Sequence, residues 1–183
     1  MLVRVKLNDL TKLHNLALVD TSALYKYKVL LLFHLSELGF TPTICDFTWR
    51  EYKHLVGKSS RTLLKEIKSA PLRVVYLRTN FKRLKDLKSS LDKLERRAKL
   101  TILKVYKELG ELSKGSRHED FCLLTVACLL AERGEVVVVS RDRGIATSCR
   151  LLGELGYSIE HYIPRGLELH PQPTFQKLPS PRF

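Results

Sequence analysis

Two unbroken apolar runs each lead within a few residues to an aspartate. Leu16-Ala17-Leu18-Val19 ends directly in Asp20-Thr21-Ser22, and Val136-Val137-Val138-Val139 ends in Ser140-Arg141-Asp142. A strand that alternates apolar and polar residues has one wet face. A strand apolar at every position has none, and belongs inside a sheet covered on both sides. Between these runs the chain alternates strand and helix signals. Ala23 to Leu38 repeats at helical spacing and stops at Gly39; Thr41-Pro42-Thr43-Ile44 forms a second short strand. Asp46 or Thr48 can cap a helix carrying Trp49, Tyr52, Leu55 and Val56, Lys58 to Ile67 reads as another helix, and Arg73 to Leu77 reads as a strand. A helix from Arg117 to Arg133 stops at Gly134, a further helix runs to about Gly153, and a last strand lies near Tyr157 to Tyr162. This order predicts an α/β fold, a three-layer α/β/α sandwich around a central parallel sheet.

The length of 183 residues suits one domain over residues 1–164, followed by a proline-bearing tail over 165–183. From Phe81 to Leu109 there is neither glycine nor proline, and Phe81, Leu84, Leu87, Leu91, Leu94 and Ala98 form an apolar seam at helical spacing. Unbroken, this helix would reach roughly 40 Å, with a bend or break expected at Ser89-Ser90.

Charge is unevenly distributed. Of 32 Lys+Arg and 19 Asp+Glu, the stretch from Arg50 to Arg117 holds 20 and 7, so it carries the whole net charge of +13 and leaves the remainder neutral. Such a block either keeps a helical surface solvated or meets a polyanion, whose condensed counterions are released on binding. Candidate phosphate contacts are Arg50, Lys53, Arg61, Lys82, Arg83 and Arg117, joined by Arg141 and Arg143 beside the second acidic run. No apolar stretch approaches the roughly 18 residues that span a bilayer, and Arg4, Lys6, Asp9 and Lys12 interrupt any secretory core. The expectation is a soluble, cytoplasmic protein without membrane partners. Cys45, Cys122, Cys128 and Cys149 show no Cys-x-x-Cys spacing and read as reduced, buried small hydrophobes.

In open α/β sheets, ligands sit beyond the carboxyl ends of the strands. Asp20 and Asp142 both belong to that rim. Asp120 opens a helix whose inward face carries Leu124, Ala127 and Ala131, and Glu51 lies on the first turns of the helix after the second strand. Carboxylates gathered in one crevice repel one another, and a hard divalent cation resolves the conflict. Each acid also has a structural reading. Asp20 and Asp142 can be helix N-caps, Glu119 and Asp120 suit the positive end of a helix dipole, and Glu51 can be an ordinary surface acid.

Taken together, these residues resemble the PIN-domain ribonucleases, which include the toxin subunits of many bacterial and archaeal toxin–antitoxin pairs. The resemblance lies in Leu18-Val19-Asp20-Thr21-Ser22, in Glu51, in Asp120 ahead of an Ala- and Leu-rich helix, and in Ser140-Arg141-Asp142. It covers about residues 16–162, with the basic middle, about 50–117, standing as a larger helical elaboration than in compact members. The resemblance implies a metal-dependent endoribonuclease that hydrolyses RNA phosphodiester bonds. Asp20, Glu51, Asp120 and Asp142 would bind Mg²⁺ or Mn²⁺ and act as its catalytic quartet. Thr21, Ser22 or Ser140 would orient these carboxylates or the metal waters. The helix from Asp120 to Gly134 is about one turn longer than usual in the family, a departure that makes Glu119 an alternative or additional ligand to Asp120. RNA is the implied partner, and the family extends the expectation to a cognate antitoxin or ribonucleoprotein partner.

The alternative from another class is a catalytically inactive PIN-like module that binds RNA or protein, using the Phe81–Ala98 seam for homodimerisation or for a helical partner. Gly57-Lys58-Ser59-Ser60 lacks the preceding strand of a phosphate-binding loop. Among the histidines, His118 stands beside the proposed acids, and Tyr25 or Tyr27 offers a ring on which a base could stack.

Overall fold

The computed structural model describes residues 1–7, 15–79, 81, 84–102, 117–164 and 167, with the side chains of 84–87, 117 and 118 left out of the description. Six strands form a single, wholly parallel sheet: β1 (Leu2–Lys6), β2 (Leu16–Val19), β3 (Thr41–Cys45), β4 (Val74–Arg78), β5 (Val136–Val139) and β6 (Ile159–Tyr162). Their order is β1-β4-β3-β2-β5-β6. The helices are α1 (Thr21–Glu37), α2 (Asp46–Val56), α3 (Ser60–Ser69), α4 (Leu84–Leu91), α5 (helical over the described residues 96–102), α6 (Arg117–Ala131) and α7 (Arg143–Glu154).

The apolar strands alternate between two cores. Leu16, Leu18, Val136 and Val138 face one core with Leu123, Ala127 and Leu152. Ala17, Val19, Val137 and Val139 face the other with Leu24, Leu31, Tyr52 and Ile67. Neither face is left to water, which is why these strands read as continuous apolar runs. An α/β sheet covered by helices on both faces fits the three-layer expectation.

The order of the sheet fixes one crevice. From β2 the chain builds outward through β3 to β4, then crosses to β5 and β6 on the other side of β2. The carboxyl ends of β2 and β5 therefore flank the point where the connections diverge, the place where ligands bind in such sheets. Backbone bonding ties the two ends together: Asp20 N–H donates to Val139 C=O at 2.9 Å, and Ser140 N–H to Tyr162 C=O at 3.2 Å.

Three features extend or refine the sequence reading. The edge strand β1 was not expected, because its apolar residues alternate with Arg4 and Lys6 and only one side of it has a neighbour. The seam after Phe81 is not one helix. It breaks at residues 92–95, just past Ser89-Ser90, where Lys93 N–H and Leu94 N–H turn back to Ser90 and Leu91 C=O. Its described positions Phe81, Leu91, Leu94 and Ala98 are buried in the chain's own core. Finally, the basic stretch contributes β4 to the sheet and α2 and α3 to the layer over it, so this part belongs to the main body. The end of the seam at 103–109, the segment 103–116 and the tail over 168–183 lie outside the described residues.

Among the described residues no helix is long and apolar enough to cross a membrane. All four cysteines are buried and none forms a disulfide, and burial pushes the Cys122, Cys128 and Cys149 thiols up to about 12. They are unreactive packing groups.

Candidate functional site

Asp20 ends β2 and begins α1. As N-cap it accepts Ser22 N–H at 3.2 Å, and the same oxygen, Oδ2, accepts the hydroxyls of Ser22 at 2.5 Å and Ser140 at 2.9 Å. Only 7% of the surface of Asp20 is exposed, so these donors satisfy an oxygen that burial would otherwise leave unpaired. All three act on Oδ2; among the described residues none reaches Oδ1. Ser140, fully buried, also accepts Asp142 N–H at 3.0 Å and lies 3.4 Å from the Ser22 hydroxyl, while Ser22 accepts Arg141 N–H at 3.1 Å. The hydroxyls of Ser22 and Ser140 thus lock the ends of β2 and β5 into one frame.

Asp142 is the N-cap of α7. Its Oδ1 accepts Gly144 N–H at 2.6 Å and Ile145 N–H at 3.1 Å, and the residue is exposed. Both capping readings of the sequence therefore hold, and a cap does not remove an acid from the crevice. A helix that starts at the carboxyl end of a strand puts its capping carboxylate on the rim, where its second oxygen remains available. Glu51, on α2, accepts the hydroxyl of Thr21 from α1, and this bond links the β3–α2 side of the crevice to the β2–α1 side.

Asp120 completes the group from the first turn of α6. Burial pushes its carboxyl up to about 8, and the negative charges of Asp20, Asp142, Glu51 and Glu119 add to that rise. Among the described residues no hydrogen-bond donor and no cation offsets this. Four carboxylates from four separate elements therefore act on a fifth, and Asp120 is the one where their repulsion concentrates. Glu119 stands one residue away and contributes to the same field.

No three His, Cys, Asp or Glu side chains among the described residues stand close enough together to grip a metal ion as they are posed. Asp20, Asp142 and Glu51 instead each take local donors. The donor set itself is all oxygen, hard and over-negative, which suits Mg²⁺ or Mn²⁺ and not a soft metal.

The expected basic residues separate into groups. Arg141 and Arg143 are exposed on either side of Asp142, and the Arg50 guanidinium donates to Phe81 C=O at 3.3 Å. Arg61 is exposed on α3, while Lys53 lines a hollow at the sheet edge. Lys82 and Arg83, and the side chains of Arg117 and His118, lie outside the described residues. The two tyrosines also part ways. Tyr27 is buried and donates to Pro164 C=O at 2.8 Å, whereas Tyr25 is 54% exposed. Tyr25 lines a cavity of about 840 Å³ with Lys28, Leu55 and Arg141, so the acidic rim and this cavity share Arg141.

One neighbour of the acids escaped the sequence reading. His161, on β6, is held below its usual pKa by burial, against the opposing pull of a Ser140 backbone hydrogen bond and the charges of Asp20 and Asp142. It is therefore neutral at pH near 7, and its Nε2 is buried without a partner among the described residues. Strand order alone brings it beside β5, and no local motif announces that.

No protein-family model matches the chain, and no curated protein matches it significantly.

Proposed function

We propose that the protein is a PIN-like, metal-dependent endoribonuclease. Asp20, Glu51, Asp120 and Asp142 hold Mg²⁺ or Mn²⁺ at the crevice between β2 and β5. The observation that carries this reading is the Asp120 carboxyl, driven up to about 8 by burial and by the surrounding acids. A structural network would pair such a group with an arginine or a lysine. An over-negative oxygen cluster is the arrangement expected where a divalent cation completes the charge balance.

When bound, the ion supplies an acidified water and stabilises charge on a phosphoryl oxygen. The chain's own residues do the rest. Three donors hold Asp20 through Oδ2 and two backbone N–H groups hold Asp142 through Oδ1, which leaves Asp20 Oδ1 and Asp142 Oδ2 as the oxygens that would take the ion. Thr21 fixes Glu51. Arg141 and Arg143 stand where a phosphate backbone would pass, and Tyr25 offers an exposed ring for an adjoining unpaired base. A cognate antitoxin or other partner is a part of this proposal that the family resemblance supports, whereas the homodimer rests on the Phe81–Ala98 seam, whose described positions Phe81, Leu91, Leu94 and Ala98 pack in the chain's own core.

The reading is tested by incubating the protein with single-stranded and structured RNA in Mg²⁺, in Mn²⁺ and in EDTA. Cleavage that needs the divalent ion is the expected result. Salt-sensitive binding without cleavage in any of the three would leave the non-catalytic RNA-binding module in its place.

Ser140 offers a separate prediction. Ser140→Ala removes one donor from Asp20 and the acceptor of Asp142 N–H, without touching a ligand oxygen. The expected loss is about 10- to 100-fold in Mn²⁺ affinity, with a stability cost of about 1–2 kcal/mol for the orphaned groups. Manganese titration beside urea unfolding measures both, and unchanged affinity would show that the serine positions nothing.

A further inference from the structure

The edge of the sheet opposite β6 carries a second concentration of charge. β1 pairs with β4 in a register that sets Arg4 beside Tyr76 and Lys6 beside Arg78. The side-chain period of two puts Arg4, Lys6 and Arg78 on one face, with Leu2 and Val74. Lys53 from α2, Lys68 from α3 and Arg73 from the loop before β4 converge on the same edge. Two hollows run together there, and a third adjoins them around the edge. The first, of about 770 Å³, takes in Arg4, Lys68 and Arg73; the second, of about 340 Å³, shares Arg4 with it and adds Lys53 and Arg78. The third, of about 260 Å³, adjoins the second at Arg78 but turns around the edge toward the opposite layer, where Leu7 and Leu129 pack, and adds Lys6, Lys93 and Arg133. Glu132 is the single acid lining the three.

These cations are exposed, and the ion pairs Asp92–Lys99 and Arg150–Glu154 use none of those lining the hollows. Charged residues on an edge strand have a structural use, since they discourage another strand from pairing with it. That use asks for charges on β1 alone. It does not explain why two helices and a loop aim further cations at the same hollows, where their mutual repulsion works against folding. The hollows are concave, with Leu64, Ile67 and Trp49 forming the floor of the middle one. That shape suits a strand lying in a groove better than a flat lipid surface. From Arg73 to Arg78 the track is about 17 Å long, enough for several consecutive phosphates.

We propose that the β1–β4 edge is a polyanion track that holds the phosphate backbone of a nucleic acid outside the acidic crevice. It goes beyond the nuclease reading, because binding on the track does not require the acids to cleave anything. Arg4 and Lys6 lie outside the basic middle stretch, so the track is a product of strand pairing and not of sequence proximity.

The test is fluorescence anisotropy with a labelled single-stranded polyuridylate of about 20 nucleotides, in EDTA so that no cleavage can occur. The triple variant R4Q/K6Q/R78Q is compared with the parent and with K58Q/K65Q/R150Q, which removes as much charge away from the track. The track variant should bind at least about 10-fold more weakly at moderate salt, and its log–log salt slope should fall by about 2, the share of three phosphate contacts on a single strand. The control should stay within about twofold of the parent. Equal losses in both variants, or none in the track variant, overturn the proposal. So does a track variant that keeps its RNA affinity but loses binding to polyglutamate or to phosphatidylglycerol vesicles. Because the readout is binding without divalent ions, it is independent of whether the acids prove catalytic.

Discussion

The metal-free protein loses stability as the pH rises from about 5 to about 8, and Asp120→Asn abolishes most of that loss. The sign follows from where the proton sits. In the unfolded chain a carboxyl releases its proton near pH 4, whereas the folded Asp120 keeps it up to about 8. Between those values the native state binds the extra proton, so stability falls with rising pH through that window and levels off above it. The full shift would correspond to more than the site can sustain, since the neighbouring carboxylates relax, and about 3 kcal/mol is a reasonable expectation for Asp120→Asn at alkaline pH. For a chain of this length that raises the melting temperature by something on the order of 10 °C. A divalent ion opposes the same repulsion, so Mn²⁺ should stabilise the parent more at about pH 8 than at about pH 6, and Asp120→Asn hardly at all. Thermal melts across this pH range, with and without Mn²⁺, decide the matter. A parent whose metal-free stability is flat from pH 5 to 8 would mean that Asp120 is not under the field of its neighbours.

The second large effect is on chemistry. Asp20→Asn and Asp142→Asn should each reduce divalent-dependent RNA cleavage by well over about 100-fold, because groups that merely support a ligand already cost 10- to 100-fold when removed. Asparagine is a suitable probe at both positions. It caps a helix as well as aspartate does, so the bonds to Ser22 N–H in one case and to Gly144 and Ile145 N–H in the other survive the substitution. Unfolding free energies should therefore shift by no more than about 0.5 kcal/mol, and any lost activity is a lost carboxylate charge. Cleavage at parental rates in both variants would remove these two residues from the site.

Much of this was legible from local pattern, for identifiable reasons. Val136 to Val139 could be read as a two-sided buried strand because burial on both faces leaves its mark in every residue. Asp20 and Asp142 could be read as caps and as rim acids at once because a parallel sheet joins those roles: the helix begins where the strand ends. Asp120 was legible only in part. Its place at a helix start is local, but its raised pKa comes from burial and from the charges of Asp20, Asp142 and Glu51, which are distant in sequence. β1 was missed because an edge strand with alternating Arg4 and Lys6 looks like solvated chain until β4 pairs with it. His161 and the charged track share that character. Register across strands brings them together, and no window of sequence contains it.

The most direct measurement is calorimetric titration of the protein with Mn²⁺ near pH 7, repeated in two buffers of different ionisation enthalpy. If the four acids form a metal centre, the parent binds one ion and releases about one proton, the one that Asp120 holds without it, and both signals vanish in Asp20→Asn. No heat up to millimolar Mn²⁺, or equal binding by Asp20→Asn and the parent, would contradict the account.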